Sequence, residues 1–163
     1  MQFVEISAFA PTERDAVTAL IVKIQQDEFG IAITAQDQPD LSDIPGFYQS
    51  GAGGFWVAKL DGDIVGTIAL KDIGEGQGAL RKMFVAEQAR GRELGVAAKL
   101  LCRLLEEARR SGITQIYLGT TDKFLAAHRF YEKNGFAEVT KETLPKRFPV
   151  MAVDTKFYCI SLK

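Results

Sequence analysis

The chain has 163 residues, of which 47% are hydrophobic and 25% charged, as in an ordinary globular protein. Its 20 basic and 21 acidic residues give a formal net charge of −1, which argues against a nucleic-acid partner. We expect one domain over residues 1–163 and no membrane partner, because no apolar run approaches ~18 residues. The N-terminus has no basic leader, and Cys102 and Cys159 are the only cysteines. This pattern predicts a reducing, cytoplasmic location and two buried thiols.

The first half of the chain predicts a strand, a helix, a loop and a hairpin. "QFVEISAF" has the loose alternation of a strand, and a helix follows Pro11, with apolar residues at helical spacing up to Gly30. Residues 31–54 are rich in proline and glycine and predict a loop with one short helix near 41–48. "GFWVAKLDGDIVGTIALKDI" predicts two strands joined by a tight turn at Asp61-Gly62.

The second half predicts alternating strands and helices. "GALRKMFV" is a fourth strand, and "RGRELGVAAKLLCRLLEEARRSG" predicts a helix with an apolar stripe through Leu94, Ala97, Leu101, Leu105 and Ala108. "ITQIYLGT" predicts a strand, "DKFLAAHRFYEKNG" a helix, and "FAEVTK" and "MAVDTKFYCISL" two closing strands. We therefore expect an α/β (α+β) fold with a central mixed sheet and helices on both faces.

Several common chemistries lack their motifs. The sequence contains no phosphate-binding P-loop and no nucleophile elbow. One histidine and two distant cysteines predict no metal site. His128 lies inside a predicted helix, where a structural role is expected rather than that of a general base.

The segment "RGRELGVA", residues 90–97, connects the fourth strand to the long helix. A helix N-terminus offers backbone N–H groups without intrahelical partners and a partial positive charge, so it can bind a phosphate. Gly91 and Gly95 allow close approach to the backbone, and Arg90 and Arg92 add positive charge. The alternative is a plain strand-to-helix connection with surface arginines, and spacing alone leaves both open.

Two segments resemble the GNAT superfamily of acyl-CoA-dependent N-acetyltransferases. Arg90 and Gly95 occupy the first and last positions of its Q/R-x-x-G-x-G/A signature after the fourth strand. A second hallmark, A-x-x-x-Y-x-x-x-G-F, is matched by Ala127, Tyr131, Gly135 and Phe136. The order of predicted elements along nearly the whole chain is also similar to that family.

The resemblance implies a fold, a cosubstrate and a set of site residues. The sheet would be mostly antiparallel, with a splay after the fourth strand. Acetyl-CoA would be the acyl donor, and its acetyl group would pass to a primary amine of a small molecule or protein by direct attack on the thioester. Tyr131 would lie near the sulfur and could protonate it, with a backbone N–H near Val85 facing the oxyanion; the alternative for Tyr131 is packing of its ring in the core. The residues that would bind the pantetheine arm and the pyrophosphate are Met83, Phe84, Val85, Arg90, Gly91, Arg92, Glu93, Leu94, Gly95 and Val96. A homodimer is left open.

Three positions depart from the family pattern. Glu93 replaces the middle glycine of the signature, Phe124 replaces an asparagine common before the tyrosine, and Ala79 replaces an acidic residue. We expect Glu93 to be an early helical residue whose side chain points away from the diphosphate. These departures keep open a catalytically silent acyl-CoA-binding domain with a sensing or regulatory role. The general base is not identified by the sequence; its candidates are Glu28, Asp72, Glu75 and a chain of water molecules.

Overall fold

The computed structural model describes residues 3–28, 30–91, 94–122 and 125–162. The predicted order of strands and helices is confirmed. The four helices are α1 (Arg14–Lys23), α2 (Ile44–Phe47), α3 (Val96–Arg110) and α4 (Leu125–Lys133). The strands are β1 (Val4–Ala8), β2 (Gly54–Leu60), β3 (Asp63–Gly74), β4 (Gln77–Val85), β5 (Gln115–Thr120), β6 (Ala137–Val139) and β7 (Lys156–Ser161).

The strands form one mixed sheet in the order β1-β2-β3-β4-β5-β7-β6. Every neighbouring pair is antiparallel except β4 and β5, which run parallel because α3 connects them. The expected mostly antiparallel mixed sheet is confirmed.

Helices cover both faces of this sheet, as predicted. Successive residues of a strand point to opposite faces. Trp56 of β2 packs in the core that contains α3 and α4, whereas its neighbour Phe55 packs in a second core with α1 and α2. The sheet is therefore the central layer between two sets of helices.

The sheet splays open between β4 and β5. The two strands pair only through Gln77–Ala79 and Gln115–Tyr117. Beyond this point β5 continues beside β7, and β4 continues beside β3 as far as Val85. The edge of β4 over residues 80–85 is thus left without a neighbouring strand on the β5 side.

A β-bulge in β4 contributes to the divergence. The pairing register between β3 and β4 shifts between Thr67 and Ala69, opposite Lys82. Lys82 has a φ of 52°, in the left-handed region that non-glycine residues rarely adopt. The Thr67 hydroxyl donates to the Lys82 carbonyl oxygen at 2.7 Å and thereby holds the bulge. Bulges bend a strand and increase its twist, and they are common beside functional sites.

The start of α3 differs from the prediction. The helix begins at Val96, and Gly95 before it has φ 61° and ψ 32°, a left-handed conformation that favours glycine. The expectation of a helix extending through residues 94 and 95 is therefore wrong, while Arg92 and Glu93 lie outside the described residues. The apolar stripe is also rotated from the predicted one. The buried residues are Val96, Leu100, Leu101, Leu104 and Ala108, whereas Leu94, Ala97 and Leu105 are half-buried.

A glycine in the sheet explains that rotation. A Cβ atom at Gly66 of β3 would lie 3.0 Å from Leu100 Cδ1 and 3.1 Å from Val96 Cγ1. The missing side chain lets these two residues of α3 approach the strand closely. The helix is thus oriented by the space available on the sheet rather than by hydrophobic spacing alone.

Two further expectations are wrong. Residues 151–155 do not continue β7, because Met151 N donates to Asp154 Oδ2 at 2.8 Å and Asp154 N donates to Met151 O at 3.0 Å. These hydrogen bonds close a turn before Lys156. The two thiols are not buried either, since Cys102 is exposed on the outer side of α3 and Cys159 is half-buried.

Candidate active site

The free edge of β4 separates two cavities. We call the one next to α3 and α4 the helix-side cavity. It measures 640 Å³ and is lined by Ile24, Glu28, Met83, Phe84, Val85, Arg90, Ala97, Leu125, Ala126, Ala127, Phe130 and Tyr131. Its volume lies in the usual range of ligand sites, ~300–1,000 Å³.

The second, loop-side cavity of 350 Å³ opens within the splay itself. It is bounded by β4 on one side, by the end of β5 on the other, and by the loop that precedes β7. Its lining residues are Gln25, Ile31, Ile33, Leu80–Phe84, Leu118–Thr121, Tyr131, Phe148, Pro149 and Met151–Asp154. Of residues 25–55, only Gln25, Ile31 and Ile33 line this cavity among those that the structure describes.

Met83, Phe84 and Tyr131 line both cavities. These shared residues mark the point at which molecules held in the two cavities would meet. Three of the sequence-predicted residues are therefore brought together there, although Tyr131 belongs to α4 and the other two to β4.

Tyr131 is almost fully buried at this junction. Its ring packs against Phe130, Phe136 and Tyr158, with centroids 5.6–5.9 Å apart. Its hydroxyl donates only a weak hydrogen bond, to Met83 Sδ at 3.8 Å. Burial raises the pKa of Tyr131 to about 12, so the hydroxyl keeps its proton at neutral pH.

Of the described residues of the predicted turn, only Arg90 lines the helix-side cavity, whereas Gly91, Leu94, Gly95 and Val96 do not. Gly91 is exposed with φ 120°, and a Cβ atom placed there would meet nothing within 4 Å. Gly95 N donates to the Gly91 carbonyl oxygen at 3.2 Å, and Lys99 N donates to the Gly95 carbonyl oxygen at 2.9 Å, so the turn leads directly into α3. The Val96 side chain itself is buried in the core, so this residue offers only its backbone to the turn. Arg92 and Glu93 lie outside the described residues.

Arg90 connects the turn to the end of β4. Its Nε donates to the Val85 carbonyl oxygen at 2.9 Å, and its Nη2 lies 2.5 Å from Glu28 Oε1. Glu28 thus neutralises a cation of the predicted pyrophosphate site. It lies in the helix-side cavity rather than in the loop-side one.

The bulge directs Lys82 into a buried polar network behind the loop-side cavity. Lys82 Nζ lies 3.5 Å from Asp40 Oδ2 and also donates to Gln38 Oε1. The Tyr48 hydroxyl donates to the same Asp40 oxygen at 2.5 Å, and Gln38 pairs with Gln25. Burial lowers the pKa of Lys82, while the Asp40 carboxylate opposes that change.

Sequence reasoning missed three charged residues of the loop-side cavity: Lys82, Arg81 and Asp154. The Arg81 guanidinium lies 5.7 Å from the Phe47 ring centroid and 6.0 Å from that of Tyr48. Asp154 lies on the other wall, and burial raises the pKa of its carboxyl group. The sequence "LRKMFV" shows the charges at 81 and 82, but "MAVDTKFYCISL" predicts a strand where a turn brings Asp154 to the cavity.

Other titratable residues are remote from the junction. The Asp72 carboxylate accepts hydrogen bonds from Ala52 N at 2.9 Å and Gly74 N at 2.8 Å, which lower its pKa. Glu75 is exposed in the turn between β3 and β4. Neither lines one of the two cavities. His128 is buried in α4 and its Nε2 lies 2.8 Å from the Thr121 carbonyl oxygen, as expected of a structural residue.

The described residues contain neither a candidate metal site nor a candidate membrane span. No group of three or more histidine, cysteine, aspartate or glutamate side chains among them could hold a metal ion. Within the same residues, no helix has the length and apolar character needed to span a membrane.

Comparison with known proteins agrees with this architecture. The sequence model of the Acetyltransferase (GNAT) family matches residues 19–136. The chain belongs to the GNAT acetyltransferase family. Among curated relatives, N-acetylaspartate synthetase of Xenopus tropicalis is 40% identical over 102 residues, which are 61% of this chain and 37% of that protein. The chain spans less than half the length of the curated relatives that it matches.

Solved structures extend the likeness to the whole fold. A GNAT-family acetyltransferase from Staphylococcus aureus Mu50 superimposes with a TM-score of 0.93 and 38% identity, covering 99% of this chain and 100% of that one. An N-acetyltransferase from Thermoplasma acidophilum, solved in complex with coenzyme A, has a TM-score of 0.75 at 16% identity, with coverage of 98% and 99%. The family assignment, the fold class and the acyltransferase class predicted from the sequence are confirmed.

Proposed function

We propose that this GNAT family member transfers an acetyl group from acetyl-CoA to a primary amine. The observation that carries the proposal is the free edge of β4 with a cavity on either side, meeting at Met83, Phe84 and Tyr131. The helix-side cavity would receive the acyl donor and the loop-side cavity the acceptor. Further support comes from the relatives, several of which are named N-acetyltransferases.

The residues of the helix-side cavity suit a CoA arm. The unpaired edge of β4 at Met83–Val85 offers main-chain groups to the amides of an extended pantetheine. The open space at Gly91 and the N-terminus of α3 suit a pyrophosphate. Arg90, next to the turn, adds a cation once it leaves Glu28. We propose these residues, together with Arg92 and Glu93 of the same turn, as the donor site.

Acetyl-CoA, when bound, supplies the activated acyl group: the amine nitrogen attacks the thioester carbonyl carbon, the C–S bond breaks, nitrogen loses a proton and sulfur gains one. Tyr131 is proposed to donate the hydrogen bond to the departing sulfur, because its protonated hydroxyl lies at the junction of the cavities. A main-chain N–H of the β4 edge near Val85 is proposed to stabilise the carbonyl oxygen as it gains negative charge.

The test is release of free thiol from acetyl-CoA in the presence of a panel of amines, with the N-acetylated product identified by mass spectrometry. Calorimetry with CoA should give one site per chain. Binding of CoA without acetylation of any amine would favour the silent sensor or regulatory domain. No CoA binding at millimolar concentration would overturn the proposal.

A further inference from the structure

The loop-side cavity carries an unusual distribution of charge. It is lined by two cations, Arg81 and Lys82, and one anion, Asp154. Lys82 is already compensated, because Asp40 faces it within the buried network and both side chains are only 7% exposed. The charged residues of this cavity that form no salt bridge within the described part of the chain are therefore Arg81 and Asp154. Burial raises the pKa of Asp154, and the Arg81 cation opposes that change, so the two charges lie within electrostatic reach of each other.

Arg81 has no salt bridge within the described part of the chain. Its Nη2 donates a long hydrogen bond to Met151 Sδ at 3.6 Å, and a thioether is a weak acceptor. The Phe47 and Tyr48 rings beside the guanidinium limit its movement without satisfying its N–H donors. A planar guanidinium with free donors matches the two oxygens of a carboxylate.

Asp154 supplies the complementary group. Its Oδ2 accepts one hydrogen bond, from Met151 N, and a carboxylate can accept several. The carboxylate lies against Gly119 of β5, where a Cβ atom would approach Asp154 Oδ2 to 2.6 Å. The lack of a side chain at Gly119 thus leaves room for the acid at the wall of the cavity.

The size of the cavity narrows the choice of occupant. A volume of 350 Å³ is near the lower end for ligand sites, ~300–1,000 Å³, and suits a molecule of the size of an amino acid. A molecule with a carboxylate and an ammonium group would satisfy both available charges and leave the cavity close to neutral. A simple alkylamine would leave Arg81 without a partner.

We infer that the acceptor is a small zwitterionic amine, an amino acid or a close analogue, with its carboxylate bound by Arg81 and its ammonium group by Asp154. This inference rests on the proposed acetyltransferase function and names its substrate class. The amine must lose its proton before it attacks, and that proton passes to solvent water at the cavity mouth.

The inference is tested with matched pairs of acceptors. Leucine, phenylalanine and aspartate are compared with leucinamide, phenylalaninamide and asparagine amide, which keep the amine and lack the negative charge. The acids should be favoured in kcat/KM by at least tenfold, as expected for a charge-assisted hydrogen bond. Amidation makes the amine less basic and so more reactive at neutral pH, which means that chemistry alone would favour the amides.

Three variants locate the effect. Arg81→Met should abolish the preference for the acids mainly through KM, and Arg81→Lys should retain part of it. Asp154→Asn should raise KM for acids and amides alike and leave their ratio unchanged. Lys71→Met is the matched control, because Lys71 is a neighbouring cation that donates to the Phe47 carbonyl and lines neither cavity. Its acid-to-amide ratio should equal that of the wild type, and unchanged CoA affinity in each variant reports intact folding.

The possible failures are distinguishable. Binding of each acid and amide to the CoA-loaded protein is also measured by calorimetry, so a catalytically silent protein still tests the pocket. If no amine is acetylated but the acids bind in preference to the amides, the proposed function fails and the ligand class stands. Amides that equal or exceed the acids in both assays overturn the inference, as does a preference that survives Arg81→Met.

Discussion

Replacing Tyr131 by phenylalanine isolates its hydroxyl group. The aromatic ring, which packs against Phe130, Phe136 and Tyr158, is kept, and the lost contact is a weak hydrogen bond to Met83 Sδ. The substitution should therefore leave the fold and the affinity for CoA nearly unchanged. Any change in turnover reports what the proton of the hydroxyl does in the reaction.

The pKa of Tyr131 sets the size of the expected effect. Burial raises this pKa to about 12, whereas an ordinary thiol has a pKa of ~8.5. Complete transfer of the proton to a thiolate would then be uphill by ~3.5 units, or ~5 kcal/mol. A hydrogen bond donated to a charged acceptor contributes ~1.5–3 kcal/mol. We therefore expect Tyr131→Phe to lower kcat by about ten- to hundredfold, the value for hydrogen-bond donation, rather than the upper range of ~10⁴-fold for general acid catalysis.

The assay is kcat with the best acceptor, measured from pH 6 to 9 beside the CoA affinity of each protein. The ratio of wild-type to variant kcat should be constant over this range, because the hydroxyl stays protonated below its raised pKa. Tyr158→Phe is the matched control, because it removes a tyrosine hydroxyl that donates to Glu132 Oε2 at 2.7 Å. Tyr158 itself lines neither cavity. This control should change stability and leave kcat alone. Equal kcat values for wild type and Tyr131→Phe would refute the reasoning and assign Tyr131 to packing.

Three more substitutions probe charges around the site. Gly91→Glu and Gly91→Gln strain the same backbone of positive φ, so a difference in their CoA affinity, measured by calorimetry, reports the added negative charge. Gly91→Glu should bind CoA about fivefold more weakly than Gly91→Gln, from ~1 kcal/mol of repulsion by the pyrophosphate, and the difference should shrink in high salt. Equal affinities would place the phosphates elsewhere. Glu28→Gln should raise CoA affinity by no more than about fivefold, because it frees Arg90 from a partly exposed ion pair. A hundredfold fall in kcat would instead identify Glu28 as the general base. Lys82→Met should lower the free energy of unfolding in urea by ~3–5 kcal/mol, because it leaves Asp40 buried without its cation. Adding Asp40→Asn should recover part of that loss, whereas additive losses would contradict the buried pair.

The sequence predicted the fold well wherever local chemistry determines the structure. The Asp61-Gly62 turn joins β2 and β3 as expected, and the helix that precedes Gly112 ends at Arg110. Both depend on residues adjacent in the chain. The rotation of α3 was not predictable in this way, because it depends on the missing side chain of Gly66 on a strand distant in sequence.

The donor side of the site was also accessible from the sequence. Met83, Phe84, Val85 and Arg90 lie within one short stretch, and the structure brings them to the same cavity as Tyr131. Their assigned roles stay predictions. The ion pair of Arg90 was not predicted, because Glu28 reaches it from the π-helical segment Ile24–Glu28 that follows α1, and no motif connects these two positions.

The charged lining of the loop-side cavity was not predicted, because it depends on a break in strand periodicity. In a regular strand, Arg81 and Lys82 would point to opposite faces of the sheet. The positive φ of Lys82 interrupts this alternation, and both residues line the loop-side cavity. The same bulge brings Lys82 to Asp40, which compensates its charge and leaves Arg81 as the cation available to a ligand. A feature of the backbone thus determines which of two adjacent basic residues is paired with a buried carboxylate, and the order of residues in "LRKMFV" does not reveal it.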